Sequence, residues 1–93
     1  MDELEFEWDP EKERANLRKH GVSFAEGSTV FGDRLARHEQ PITVDGETRS
    51  KLVGLSSLGR LLVVAFVDRR PIRIISTRRA TPFERHGYQE TES

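Results

Sequence analysis

Seven arginines fall between Arg60 and His86 (Arg60, Arg69, Arg70, Arg73, Arg78, Arg79 and Arg85) against only Asp68 and Glu84. A guanidinium is a planar fork of donors that grips phosphate with two parallel hydrogen bonds and stacks on bases. Such a concentration suggests a polyanion or an acidic protein as partner, and otherwise a solvated basic surface. On a strand, side chains alternate, so Ile72 and Ile74 share one face while Arg73 and Ile75 share the other. Arg78 and Arg79 sit where the last strand meets the last helix, and two guanidiniums beside a helix N-terminus make a natural anion site. Arg60 begins an apolar strand, and Lys51 lies on the preceding one. Tyr88 comes about two turns into the last helix. Near the other end of the chain, Lys19 and His20 stand side by side just where a helix must stop, either as ordinary C-cap charges or as parts of a site.

If these residues converge, they form a small cationic surface with one phenol and one imidazole. That equipment suits cleavage of RNA without a metal. The ribose 2′-OH attacks the neighbouring phosphodiester once a base takes its proton, cations stabilise the extra charge, and an acid protonates the leaving oxygen. Arginine serves the charge, and Lys, His or Tyr serve the proton transfers. Other chemistries find no footing. His20, His38 and His86 are isolated and no acidic pair has metal-ligand spacing. There is no glycine-rich phosphate loop and no nucleophile-elbow serine. No cofactor or metal is expected.

The elements that must position these groups can be read from local signals. Leu4 to Trp8 alternates apolar and acidic residues as a half-buried strand does. Asp9 is a natural N-cap and Pro10 a natural first helical residue, while Gly21 can take the left-handed conformation that ends the helix. Ser23 with Glu26 forms a capping-box pattern opening a second helix, Phe24 to about Phe31, which Gly32-Asp33 ends. A short strand is expected from Arg34 to Glu39, before Pro41. Asp45-Gly46 marks a tight turn. Arg49 to Leu55, Leu61 to Val67 and Ile72 to Thr77 read as strands, the wholly apolar second of them as a central strand covered on both faces. Thr81-Pro82-Phe83-Glu84 opens a last helix reaching Tyr88 or a little beyond, and Glu90 to Ser93 is expected to fray. The order β-α-α-β-β-β-β-α predicts an α+β domain: an N-terminal strand and two helices, an antiparallel β-meander and a C-terminal helix, with the helices on one face of the sheet.

Composition sets the outer bounds. The 93 residues carry a formal net charge of −1, and a chain of this length is expected to be one domain, 1–93. The near-neutral total hides an asymmetry, because seven acids stand against Lys12 and Arg14 between Asp2 and Arg14. Twelve of the 15 basic residues are arginine. No run approaches the ~20 apolar residues of a membrane span, and residues 1 to 8 lack the apolar region of a signal peptide. Cysteine is absent, which excludes disulfides, thiolate zinc sites and a cysteine nucleophile and suits a cytoplasmic protein.

Several ordered motifs resemble the BrnT family: FEWDPEKERANLRKHGVSF (Phe6 to Phe24), VFGD (Val30 to Asp33), SSLGRLLVVAFV (Ser56 to Val67) and IRIISTRRATPFER (Ile72 to Arg85). The resemblance runs from about Phe6 to Glu90. It implies a RelE-like fold and a metal- and ribosome-independent endoribonuclease that arrests translation, the toxin of a type II toxin–antitoxin module. Its implied partners are an RNA substrate and a BrnA-like ribbon-helix-helix antitoxin, through which alone the complex meets operator DNA, with room for a toxin dimer inside the hetero-oligomer. By the same likeness Arg60 stands where RelE-type toxins place an arginine on the scissile phosphate. Lys51 matches a sheet lysine, Arg79 an arginine of the last strand and Tyr88 a C-terminal catalytic tyrosine. The LRKHGV motif supplies Lys19 and His20, and the last-strand motif supplies Arg73, Arg78 and Arg79. Thr77 stands where alanine is common, and Gln89 where an acid usually follows the tyrosine.

The leading expectation is therefore a ribonuclease with Lys19, His20, Arg60, Arg79 and Tyr88 as catalytic residues and Lys51, Arg73 and Arg78 binding RNA phosphate. Against it stands a non-catalytic binding module whose basic face docks an antitoxin or nucleic acid. A purely structural subunit is a third reading, disfavoured by the clustering of arginines at one strand–helix junction.

Overall fold

The helix signals near the start of the chain act as their chemistry dictates. The computed structural model describes residues 4–92, so residues 1–3 of the acidic start and Ser93 of the tail lie outside it. Strand β1 (Phe6–Glu7) leads into α1 (Pro10–His20). The Asp9 carboxylate accepts the Glu11 N–H at 2.9 Å, and Gly21 closes the helix at φ 70°, its N–H bonded to the Leu17 carbonyl. Glu11 and Glu13 lie in the first turn and Arg18, Lys19 and His20 in the last, each sign facing the favourable pole of the helix dipole.

Helix α2 (Phe24–Ser28) is shorter than the pattern suggests, because the chain tightens into a 3₁₀ turn over Thr29–Gly32. Its cap is also built differently. Ser23 Oγ accepts the Glu26 N–H at 2.9 Å, but the Glu26 carboxylate does not return to Ser23. The free N–H groups of Phe24 and Ala25 instead donate to Glu13 Oε2 of α1, at 2.9 and 3.2 Å. Glu13 also accepts the Trp8 indole N–H at 3.2 Å, so one carboxylate ties the N-terminal segment, α1 and α2 together.

The sheet has the order β1-β5-β4-β3-β2, with β2 (Arg37–Val44), β3 (Glu47–Leu55), β4 (Leu61–Val67) and β5 (Ile72–Arg79). Those four form the expected antiparallel meander, and β1 adds a parallel pairing to β5 at the far edge. Asp45 and Gly46 turn the β2–β3 hairpin at φ 50° and 77°, the double positive φ of a two-residue hairpin turn. Strand β4 is central and almost wholly buried, as its unbroken apolar run requires. Strand β2 departs from expectation: it begins three residues later than read and runs through Pro41. The ladder shifts register between Glu39 and Ile42; an edge strand with an irregularity accommodates a residue that has no N–H to give.

Alternation along β4 builds two clusters. Leu62, Val64 and Phe66 pack with Val22, Phe24, Val30, Leu52, Ile72 and Ile74 beneath α1 and α2, while Leu61 and Val63 join Val53 and Tyr88. Tyr88 belongs to α3 (Pro82–Glu92), so α3 lies on the opposite face from α1 and α2. The expectation of all helices on one face is corrected by this split. Helix α3 also continues to Glu92 through residues read as a frayed tail. No helix among the described residues is long and apolar enough to cross a membrane.

One buried polar network joins the first helix to the last strand. The Asn16 amide nitrogen lies 2.8 Å from the carbonyls of Val22 and Thr77 and 2.9 Å from Thr77 Oγ1. Asn16 Oδ1 accepts the Thr77 N–H at 3.3 Å. Both residues are buried, and together they fix the C-terminal half of α1 against β5.

Candidate active site

Strand geometry divides the candidate residues into two groups. Arg79 pairs in register with Leu62 and Arg78 with Val63, so Arg79 shares the α1/α2 face and Arg78 the α3 face. The sequence reading ended the strand at Thr77 and left both arginines in one junction; the strand runs two residues further and turns them apart.

On the α1/α2 face, Arg60 immediately precedes β4 and reaches Glu26 of α2. Its Nε donates to Glu26 Oε2 at 2.9 Å, and its Nη2 donates to Glu26 Oε1, making a two-pronged ion pair. Nη2 also donates to the Gly21 carbonyl at 3.2 Å, next in sequence to His20. The Glu26 carboxyl is held below its ordinary range, chiefly by Arg60, with Ser56 adding a hydrogen bond and Arg79 a longer-range attraction that together outweigh burial. Arg79 is exposed, and no hydrogen bond among the described residues engages its guanidinium. Lys19 is exposed and His20 half-buried on the last turn of α1. The Arg60 guanidinium thus bridges the end of α1, through Gly21, and α2, through Glu26, and Arg79 acts on the same carboxylate; Lys19 and His20 are the last two residues of α1.

The other candidates stand elsewhere. Arg78 is bound by Glu84 through two contacts of 2.8 Å. Glu84 also accepts the Thr81 N–H at 2.8 Å, and Thr81 Oγ1 accepts the Glu84 N–H at 3.2 Å. The anion at the start of α3 is therefore the protein's own carboxylate, its pKa lowered to about 2, mostly by Arg78. The phosphate site expected there is already filled. Arg73 lies six residues before Arg79, roughly 20 Å along an extended strand, and donates to Glu7 at 2.7 Å. Lys51 shares the α3 face with Val53, opposite Glu39 and Ala65. Lys51 thus faces away from Arg60, four residues and roughly 13 Å along β3 from the Leu55–Leu61 pair.

Tyr88 also stands on the α3 face. It is 3% exposed, packed on the β3–β4 face, and its hydroxyl donates to Asp33 Oδ2 at 2.6 Å. Burial pushes the Asp33 carboxyl up, but Tyr88 and the N–H groups of Leu55 and Leu35 together hold it below its ordinary value. The phenol is thus engaged by a carboxylate of the 3₁₀ segment's end, on the face away from Arg60. Among the described residues, no group of three or more His, Cys, Asp or Glu could hold a metal ion.

Glu26 is the residue that the sequence reading missed. Its spacing from Ser23 is that of a capping box, and this local explanation concealed a partner 34 positions away. The only available signal was a carboxylate in a helix of otherwise small and apolar residues.

Over residues 8–84 the sequence matches the family described as "Ribonuclease toxin, BrnT, of type II toxin-antitoxin system". Among solved structures, the crystal structure of the Brucella abortus ribonuclease toxin BrnT is similar in fold, with a TM-score of 0.60 at 20% identity over 85% of this chain and 99% of that one. A comparison with curated proteins found no match.

Proposed function

Because the chain belongs to the BrnT family of ribonuclease toxins of type II toxin–antitoxin systems, we propose that it is a metal-independent endoribonuclease acting where α1, β4 and β5 meet. The observation that supports this site is the guanidinium of Arg60, fixed by Glu26 and bonded to the Gly21 carbonyl beside His20, with Arg79, which makes no side-chain hydrogen bond among the described residues, on the same face.

In the cleavage step the 2′-oxygen bonds to phosphorus as its proton passes to a base. The P–O5′ bond breaks, the departing 5′-oxygen takes up a proton, and a 2′,3′-cyclic phosphate remains. His20 is the imidazole at this end of the fold and carries the proton. Arg79 and Lys19 attract the RNA backbone, and Arg60 faces the oxygens on which charge accumulates. Arg78, Arg73, Lys51 and Tyr88 take no part in the step in this scheme. The family implies an antitoxin partner; a BrnA-like ribbon-helix-helix antitoxin, with operator DNA bound only through the complex, and a cytoplasmic setting complete the reading.

The test is cleavage of a defined RNA by purified protein with EDTA present, reading the end chemistry. We expect a 2′,3′-cyclic phosphate, and we expect Arg79→Ala and His20→Ala to abolish cleavage and relieve growth arrest on induction. Full toxicity in both variants would place the site elsewhere. Absence of cleavage combined with tight antitoxin binding would return the chain to the class of binding modules.

A further inference from the structure

Glu26 takes no part in the proton transfers above, yet it is only 7% exposed, and a buried carboxylate persists only when paired and hydrogen-bonded. Each of its oxygens is committed. Oε1 accepts from Arg60 Nη2, and Oε2 accepts from Arg60 Nε at 2.9 Å and from Ser56 Oγ at 2.7 Å. Ser56 Oγ in turn accepts the N–H groups of Leu58 at 3.2 Å and of Arg60 itself at 3.3 Å. Backbone and guanidinium of Arg60 are thus anchored to one carboxylate–hydroxyl pair. A carboxylate with its lone pairs so occupied is a poor proton acceptor, which argues for orientation over general-base chemistry.

We infer that Glu26 is a positioning residue for RNA cleavage, holding Arg60 by its Nε–Nη2 edge so that Nη1 is presented to the scissile phosphate; this rests on the ribonuclease reading above. Nη1 donates no hydrogen bond to any described residue, and the Arg60 side chain is 31% exposed. A guanidinium paired with a carboxylate has little net charge with which to attract RNA, so Arg60 contributes direction and Arg79 contributes attraction. Direction matters in the transition state and attraction already in the bound complex. Substitutions at the two ends of this arrangement therefore separate kcat from binding.

The discriminating variant is Glu26→Gln, which keeps the shape but sets an NH2 group near the guanidinium and frees the charge of Arg60. Single-turnover cleavage of a defined RNA, measured well below the melting temperature of each protein, is expected to fall by about 10–100-fold. Binding of an uncleavable 2′-O-methyl oligonucleotide is expected to stay as tight or tighter, its slope of log K against log salt steepening by roughly 0.7 as one more phosphate contact forms. The Arg60 Nε–H resonance should shift or broaden. Arg79→Ala should do the reverse, weakening binding and flattening the salt slope. Cleavage by Glu26→Gln within about 2-fold of the parent, an unchanged Arg60 resonance, or parallel loss of binding and cleavage would overturn the positioning role alone. A parent protein that binds RNA but never cuts it would overturn the ribonuclease reading and this role with it.

Discussion

Gly27 of α2 lies directly over Thr77 of β5, so closely that a β-carbon at position 27 would overlap the Thr77 γ2-methyl. Helix and sheet approach this far because one partner has no side chain. Gly27→Ala should therefore cost about 1–3 kcal/mol of stability, the usual range for overpacking a filled core. Thr77→Ala removes the obstructing methyl. The double variant should recover part of the loss, a non-additivity of neighbours that urea midpoints measure directly. Strictly additive losses would show that α2 does not seat on β5 in this way.

Asn16 satisfies backbone groups of Val22 and Thr77 at once, so Asn16→Ala strands buried polar groups. We expect a loss of about 2–3 kcal/mol, read as a lower melting temperature. Cleavage should also fall at temperatures where the variant remains folded, because this network holds the end of α1 that carries His20. A folded Asn16→Ala with parental cleavage would separate the network from the site.

Tyr88→Phe tests whether the last helix carries chemistry or only closes the fold. Losing the hydroxyl leaves Asp33 short of one donor and should cost about 1–2 kcal/mol, while cleavage stays within about 2-fold of the parent. A collapse of kcat in a stably folded Tyr88→Phe would mean that the phenol reaches the substrate after all.

The Arg78–Glu84 pair gives acid stability a defined window. The Glu84 pKa is lowered from 4.5 to about 2 in the folded chain, so the pair stabilises fully above about 4.5 and loses its effect as pH falls towards 2. Glu84→Gln should be less stable than the parent by roughly 1–2 kcal/mol at neutral pH, allowing for partial exposure. Denaturation curves from pH 7 to pH 2 should bring the two proteins together at the acid end. A constant gap across that range would assign the effect to the helix cap and not to charge.

Features encoded by adjacent residues are legible in the sequence: the Asp9-Pro10 opening and Gly21 ending of α1, the Asp45-Gly46 turn, the apolar run of β4. Features set by distant partners are not. Ser23-Glu26 and Thr81-Glu84 carry the same capping spacing, yet only the second makes the reciprocal box, because Arg60 claims the Glu26 carboxylate. Arg78 and Arg79 looked like one cationic pair until the true end of β5 set them on opposite faces. Pro41 spoke against a strand, and the edge position with its register shift, which removes that objection, is a property of the whole sheet. Of the proposed site, residue types were readable and their facing was not.

The proposed site draws on positions 20, 26, 60 and 79, and its scaffold closes only when Asn16 meets Thr77, 61 residues later. During synthesis, helices α1 and α2 leave the ribosome long before β5 exists, and contacts of such sequence separation form late. A nascent chain that ends before β5 therefore holds His20 and Glu26 without Arg79. On the proposed site, cleavage thus waits for β5, the strand that carries Arg79.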